Sequence, residues 1–325
     1  ARFEQFGRDD EVHAARHRQQ AQHRRAPGER RAVDWKDLHV VRRSARTLRH
    51  TGDRRALRDV TGLCRGLHDP FREHSATFAA HGCHALSVTT ALLVADSARV
   101  EEWHEVDTGV MADQARQVLE DMPIAAVKIG AIASIEQAAA LAEIVSDYAE
   151  VPLIVDPFLS ALPDSGMSDE DIVASIRQIL APQATVLQLS QSELGRMAEL
   201  WREAGVEGSL ETDVAELTAR GCQYVLVTGT AGSGHKRTNT LFDRDEGVTT
   251  LDWQHLPGHF LGAGCTLSGA LVALMARGMD AVEALRLAQE YTYGALLHAQ
   301  RFGMGKLVPN RFYRLLPQDG IKKVS

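Results

Sequence analysis

The chain has few of the features that mark secreted, membrane or metal-bound proteins. Its 325 residues contain four cysteines, none of them in a C-x-x-C pair, so neither a disulfide framework nor a zinc site is indicated. No apolar run approaches the ~20 residues that span a bilayer. No secretory leader is visible, because the first residues are polar. We therefore expect a reducing, cytoplasmic setting and no membrane partner.

The net charge of −7 is unevenly distributed along the chain. Residues 1–75 hold 18 Lys and Arg against 11 Asp and Glu, whereas the rest of the chain holds 18 against 32. An acidic body argues against nucleic acid as its main partner. With 44% hydrophobic residues, the chain is globular in class and long enough for one large core or at most two domains.

Residues 1–75 are predicted to form an atypical leader rich in Arg and His. Seventeen of its basic residues are arginine, and seven histidines are scattered through it with little apolar periodicity. A solvated helix, a disordered arm and a nucleic-acid-binding tail all fit this composition. His13 and His17 have a spacing that can bind a metal, but no third ligand is in view, so we interpret them as surface histidines.

From Ala79 onward, short apolar runs alternate with longer helical stretches. Runs such as VPLIVDPF and YVLVTGT are typical of strands buried on both faces. Helices are predicted at 112–122, 134–149, 169–180, 192–204 and 212–220. Two alternating runs within 238–253 predict a hairpin. This order predicts an α/β fold, with a mostly parallel central sheet and helices on both of its faces.

The segment LGAGCTLSGALVALMARG predicts an anion-binding helix N-terminus. Gly262, Ala263 and Gly264 precede Cys265, and an apolar helix follows. Unpaired backbone N–H groups and the peptide dipole favour a negative ligand, and small residues let it approach closely. The same field favours the thiolate of Cys265. Tight packing around a buried cysteine explains the same residues, so both interpretations stay open at this point.

Two further polar groups follow predicted strands, where open parallel sheets bind their ligands. Asp156 comes directly after LIV and could orient Mg²⁺ or its water near phosphates. Capping of the next helix or turn is an equally good interpretation. Ser190 and Glu193 have the spacing of a capping box at the start of a helix.

GAGCTLSGA resembles the GTGCTLSAA segment of the hydroxymethylpyrimidine and phosphomethylpyrimidine kinases of thiamine biosynthesis. AVKIG, LIVDPF, YVLVTG and FGMGKLVPN resemble further family segments in the same order, from about Ala79 to Asn310. The resemblance implies a three-layer α/β/α ribokinase-like domain over residues 76–325. It also implies ATP- and Mg²⁺-dependent phosphorylation of 4-amino-5-hydroxymethyl-2-methylpyrimidine, its monophosphate, or both. Relatives are often dimers, so a homodimer is expected.

The resemblance also implies how phosphoryl transfer would be carried out. Backbone N–H groups of Gly262–Gly264 would neutralise the transferring phosphate, and Cys265 would take the proton of the attacking hydroxyl. Glu193 aligns with a family glutamate that helps to hold magnesium, together with Asp156. Ser190 replaces the usual asparagine of that motif.

The remaining site residues implied by the resemblance lie on the nucleotide and substrate sides. Thr228 and Gly229 align with nucleotide phosphate and ribose contacts. Gly130 and Lys128 align with a substrate-side strand end, although Lys128 has the alternative of pairing with a neighbouring acid. Ala95 occupies the place of a family glutamine near the pyrimidine.

The chain departs from the family most clearly before residue 79. His68-Asp69-Pro70 and Thr77-Phe78 match family residues, but the six residues between them replace a longer glycine-rich loop that helps to form the substrate pocket. We hypothesise that residues 1–75 are misread, frame-shifted or diverged. Two alternative functions therefore stay open: a pyridoxal or pyridoxine kinase, and a catalytically impaired relative that only binds ligands.

Overall fold

A computed structural model of the chain describes residues 33–43, 70–157, 159, 169–202, 208–232, 235–245 and 247–316. The sequence interpretations of His13, His17 and Cys64 lie outside these residues. Among the described helices, none combines the length and apolar character that crossing a membrane requires.

In the part of the chain that the structure describes, nine strands form one sheet. They are β1 (Val33–Arg43), β2 (Cys83–Ala95), β3 (Val100–Glu105), β4 (Ala126–Ile129), β5 (Leu153–Val155), β6 (Val186–Ser190), β7 (Tyr224–Ala231), β8 (Lys236–Asp243) and β9 (Val248–Gln254).

The described helices flank this sheet. They are α1 (Pro70–Ala80), α2 (Thr108–Asp121), α3 (Ile135–Ser146), α4 (Asp169–Ser175), α5 (Gln191–Ala198), α6 (Leu210–Ala219), α7 (Ala263–Ala276) and α8 (Ala281–Leu297). A π-helical turn at Ile176–Leu180 and a 3₁₀ turn at Ala181–Gln183 extend α4, and a further 3₁₀ turn lies at Tyr313–Leu315.

The sheet has the strand order β3-β2-β1-β4-β5-β6-β7-β8-β9. Strands β4 to β7 pair in parallel, since each is joined to the next by a helical crossover. The flanking pairs are antiparallel. Six strands therefore run in one direction, with β1, β3 and β8 opposed to them. The predicted mostly parallel α/β sheet is confirmed.

Strand β1 was not predicted, and it lies within the Arg- and His-rich range. It fills the position between β2 and β4, with Val33 opposite Val94 and Val41 opposite Ala126. The sheet thus extends upstream of residue 76. Because most of residues 1–75 lie outside the described part, the division of the chain at residue 75 stays a prediction.

The sheet separates two apolar cores. Along β5, Leu153 and Val155 pack with the α2, α3 and α4 side, whereas Ile154 packs with α7 and α8. Alternate side chains of a strand point to opposite faces, so a strand buried on both sides is apolar at every position. This is why the runs read from the sequence were continuous, and the arrangement confirms the three-layer α/β/α fold.

The predicted helices and hairpin are present, with ends that differ by several residues. Helix α2 begins at Thr108 rather than at 112, because Asp107 Oδ1 accepts the backbone N–H of Val110 at 3.0 Å. The predicted hairpin is formed by β8 and β9, with Phe242 opposite Val248.

We expect Leu271→Ala to lower the free energy of unfolding by about 2–5 kcal/mol, because Leu271 is completely buried in the α7 core and its truncation leaves a cavity. Urea denaturation measures the change. Leu297→Ala, at a position 54% exposed near the end of α8, should change stability by less than about 0.5 kcal/mol. Equal losses in the two variants would contradict this assignment of the core.

Candidate active site

The carboxyl ends of the central strands meet the N-terminus of α7. Asp156 follows β5, and Ser190 at the end of β6 lies opposite Thr228 of β7. Gln188 of β6 donates from Nε2 to the backbone oxygen of Gly264 at 3.2 Å. This contact places the first turn of α7 against the edge of the sheet where ligands of α/β proteins bind.

Helix α7 begins without a side-chain cap. Its N-cap, Gly262, has φ +70°, a left-handed conformation in which L side chains are strained. The carbonyl of Gly262 accepts hydrogen bonds from Thr266 N at 2.9 Å and from Arg311 Nη2 at 3.4 Å. Because glycine has no side chain, the first N–H groups of this helix have no side-chain cap, as an anion-binding N-terminus requires.

Asp156 is fixed by two buried partners. Ser268 Oγ on α7 donates to Asp156 Oδ2 at 2.6 Å, and Lys128 Nζ on β4 lies 3.4 Å from the same oxygen. The Lys128 side chain is 1% exposed, so its ammonium group is compensated inside the protein by this carboxylate. Lys128 thus pairs with a neighbouring acid, as one of the two sequence interpretations expected, and its substrate-side role stays a prediction.

Cys265 lies in a buried cluster that the sequence reasoning missed. The ligating atoms of His74, Asp156 and Cys265 all lie within 4.8 Å of one another. His74 comes from α1, in the segment that replaces the glycine-rich loop. Its place between His68-Asp69-Pro70 and Thr77-Phe78 was the available signal, since the family loop at that place helps to form the substrate pocket.

Ser190 and Glu193 form the predicted capping box at the start of α5. Glu193 Oε2 accepts from Ser190 N at 2.8 Å and from Ser190 Oγ at 2.7 Å, while Glu193 N donates back to Ser190 Oγ at 3.2 Å. Both residues therefore stabilise the helix N-terminus. The magnesium role of Glu193 stays a prediction.

A pocket opens beside the first turn of α7. It is lined by Thr228, Gly229, Asn239, Trp253, Ala263, Gly264, Leu267, Gln289, Thr292, Tyr293 and Leu296. Its lining is mostly apolar with a few polar groups, which is typical of a site for a small organic ligand. Four residues selected from the sequence, two on β7 and two on α7, thus line one cavity.

The pocket wall contains a glycine in a left-handed conformation and several polar atoms that could contact a ligand. Gly229 has φ +73°, and its N–H donates to Asn239 Oδ1 at 3.0 Å. Asn239 in turn donates to Gln289 Oε1 at 2.9 Å. Thr292 Oγ1 and Trp253 Nε1 are buried without a hydrogen-bond partner among the described residues. Buried polar atoms are normally satisfied, so a ligand or water suits these two positions.

Arg311, which donates to the carbonyl of Gly262, is itself held by a buried tyrosine that packs against a histidine. Tyr291 donates its hydroxyl to the backbone oxygen of Arg311 at 2.6 Å, and burial raises the pKa of Tyr291. His81 packs edge-on against Tyr291, with ring centroids 4.4 Å apart, and burial lowers the pKa of His81. Both side chains are therefore uncharged near neutral pH.

The substrate-side candidates lie at the carboxyl ends of β4 and β2, two strands separated by β1. Gly130 directly follows β4, and Ala95 is the last residue of β2; both are buried. Neither lines the pocket beside α7. The structure thus brings the nucleotide-side and phosphoryl-transfer candidates together, while the roles of Gly130 and Ala95 stay predictions.

Solved structures share this fold. The pyridoxal kinase of Bacillus subtilis, solved as an ADP complex, has a TM-score of 0.66 at 20% identity, covering 76% of this chain and 93% of that chain. The phosphomethylpyrimidine kinase of Clostridium difficile 630 has a TM-score of 0.56 at 23% identity, covering 71% and 94%. These similarities confirm the ribokinase-like fold.

Sequence comparison identifies the family. The hydroxymethylpyrimidine/phosphomethylpyrimidine kinase of Rhizobium meliloti (strain 1021) is 29% identical over 240 residues, 73% of this chain and 90% of the relative. That of Mycobacterium tuberculosis (strain ATCC 25618 / H37Rv) is 30% identical over 248 residues, 74% and 87%. The family model for phosphomethylpyrimidine kinase matches residues 76–310. The chain therefore belongs to the phosphomethylpyrimidine kinase family.

Proposed function

We propose that this chain transfers the γ-phosphoryl group of ATP to 4-amino-5-hydroxymethyl-2-methylpyrimidine, its monophosphate, or both, in thiamine biosynthesis. One observation carries the proposal. Ala263 and Gly264 line the pocket beside α7, and the next residue, Cys265, belongs to the buried cluster with Asp156. The first turn of α7 thus joins a place for the nucleotide to a place for the acceptor hydroxyl.

Phosphoryl transfer depends on charge neutralisation and positioning. The uncapped N–H groups of Gly262–Gly264 would hold the transferring phosphate, assisted by the positive end of the α7 dipole. Cys265, as a thiolate, would accept the proton of the attacking hydroxyl. Lys128 and Ser268 act indirectly in this proposal, because they hold the Asp156 carboxylate in place.

The carboxylates of Asp156 and Glu193 fit a magnesium ion that accompanies ATP. Magnesium prefers oxygen ligands, retains several waters and uses one or two carboxylates besides the phosphates. Contacts through water are compatible with the hydrogen bonds that both carboxylates already accept. The ion would supply further neutralisation of phosphate charge, while Thr228 and Gly229 contact the nucleotide.

In this proposal, the residues that select the substrate lie on the side of the site away from the nucleotide. Gly130 and Ala95 would lie near the pyrimidine ring, with Lys128 acting through Asp156. Pyridoxal or pyridoxine is the alternative acceptor, favoured by the fold similarity to a pyridoxal kinase at a TM-score of 0.66. We further propose a cytoplasmic homodimer.

We expect the purified full chain to release ADP from Mg-ATP when the hydroxymethylpyrimidine is added, at a rate above the ATP-only background. Pyridoxal in a parallel reaction decides between the two acceptors, because the preferred one has the higher kcat/KM. Binding of the pyrimidine without ADP release would instead support the impaired, ligand-binding alternative.

Cys265→Ala should reduce kcat by about 10²–10⁴, the usual contribution of a general base, without changing the melting temperature appreciably. Cys222→Ala is the matched control, since Cys222 is also a buried thiol but belongs to the core under β7. Turnover of Cys265→Ala within a few fold of the Cys222→Ala value would exclude Cys265 as the base.

Lys128→Met should lower the free energy of unfolding by about 3–5 kcal/mol, because it leaves the buried Asp156 carboxylate without its cation. Lys236→Met removes a comparable charge pair on the surface, where Lys236 is 55% exposed and lies 3.5 Å from Asp252. That control should cost about 1 kcal/mol or less. If Lys128→Met changed only the KM for substrate, its proposed structural role would be wrong.

A further inference from the structure

The cluster of His74, Asp156 and Cys265 combines three different ligating atoms in one buried place. We propose that it is a binding site for a thiophilic divalent cation, with Zn²⁺ as the probe. The inference goes beyond the proposed kinase activity and does not require it, since binding depends only on these three side chains.

The packing of α1 on α7 brings the cluster together. Gly269 lies one turn after Cys265, so both face the same side of α7. A Cβ at Gly269 would lie only 3.3 Å from both His74 Cδ2 and Thr77 Cβ, so the absence of a side chain lets α1 approach closely. Asp156 is held against the same helix by Ser268. The three donors thus come from α1, the end of β5 and α7.

The donor set is that of zinc rather than magnesium. Imidazole nitrogen, thiolate sulfur and carboxylate oxygen are all zinc ligands, whereas magnesium prefers oxygen alone. Ligand atoms of a tetrahedral zinc site lie about 3.5 Å apart, so donors now within 4.8 Å need to move closer by about 1 Å. Side-chain rotation can supply a shift of that size. The fourth position would be taken by water.

Charge and proton balance limit the affinity of the site. The cation binds Cys265 as the thiolate, so a proton held by its sulfur leaves to solvent; His74 binds as the neutral imidazole. Lys128 and Ser268 both contact Oδ2 of Asp156, so Oδ1 is the oxygen that we assign to the cation. The nearby Lys128 ammonium opposes a second positive charge. We therefore expect weaker binding than in a structural zinc site with a full set of protein ligands.

Zinc in this cluster would block the proposed chemistry. The metal would occupy the lone pair of Cys265 that accepts the substrate proton, and it would displace Asp156 from its role at the phosphates. Inhibition by zinc that a chelator reverses is therefore expected for the kinase. A spectroscopic measurement of metal binding does not depend on turnover, so it separates failure of the metal site from failure of the proposed function.

Cobalt titration of the reduced, metal-free full chain tests the site directly. Co²⁺ replaces Zn²⁺ in such sites, and a cysteine ligand produces a thiolate-to-cobalt charge-transfer band. We expect one equivalent of Co²⁺ to produce this band and one equivalent of Zn²⁺ to abolish it. Cys265→Ser should lack the band, and His74→Gln should bind Co²⁺ at least about tenfold more weakly. Both variants approximately conserve side-chain volume, and circular dichroism confirms that they fold.

Cys222→Ser and His84→Gln are the matched controls. Burial raises the pKa of Cys222 to about 12, so this thiol stays protonated near neutral pH, and His84 is exposed on β2. Both controls should retain the wild-type band and affinity. Cobalt binding without a charge-transfer band, or an unchanged band in Cys265→Ser, would overturn the proposal.

Discussion

Lys128 on β4 and Ser268 on α7 reach the same oxygen of Asp156, at 3.4 Å and 2.6 Å. This buried contact joins two adjacent strand ends to the helix that begins the candidate active site. An ammonium and a carboxylate inside a protein are tolerable only as a pair, so neither can move far without a large cost. The position of the α7 N-terminus over the edge of the sheet depends on this constraint.

Helix α7 connects the nucleotide side of the site to its acceptor side. Its first turn has no side chain larger than methyl before Cys265, and its N-cap has a left-handed conformation. Small residues are useful here for two reasons, because they expose backbone N–H groups to an anion and allow neighbouring elements to approach. One turn later, Gly269 likewise has no side chain, and this allows α1 to pack closely against α7.

Local pattern was sufficient to predict the central fold. The runs around Ile154 and Leu226 are apolar at every position because helices cover both faces of the sheet, and this signal does not depend on distant contacts. The capping box at Ser190 was equally predictable, since its three hydrogen bonds are formed within four residues. Strand β1 escaped prediction because it lies within a range whose composition is dominated by arginine and histidine.

By itself, the sequence determined the order of strands and helices from α2 to α7, the small residues before Cys265 and the family to which the motifs belong. Each of these is encoded in consecutive residues. Only the tertiary structure decided that Lys128 is the partner of Asp156 and that His74 lies beside Cys265. Those contacts join residues far apart in the chain. They depend on strand pairing and helix packing, which the spacing of residues along the sequence does not predict.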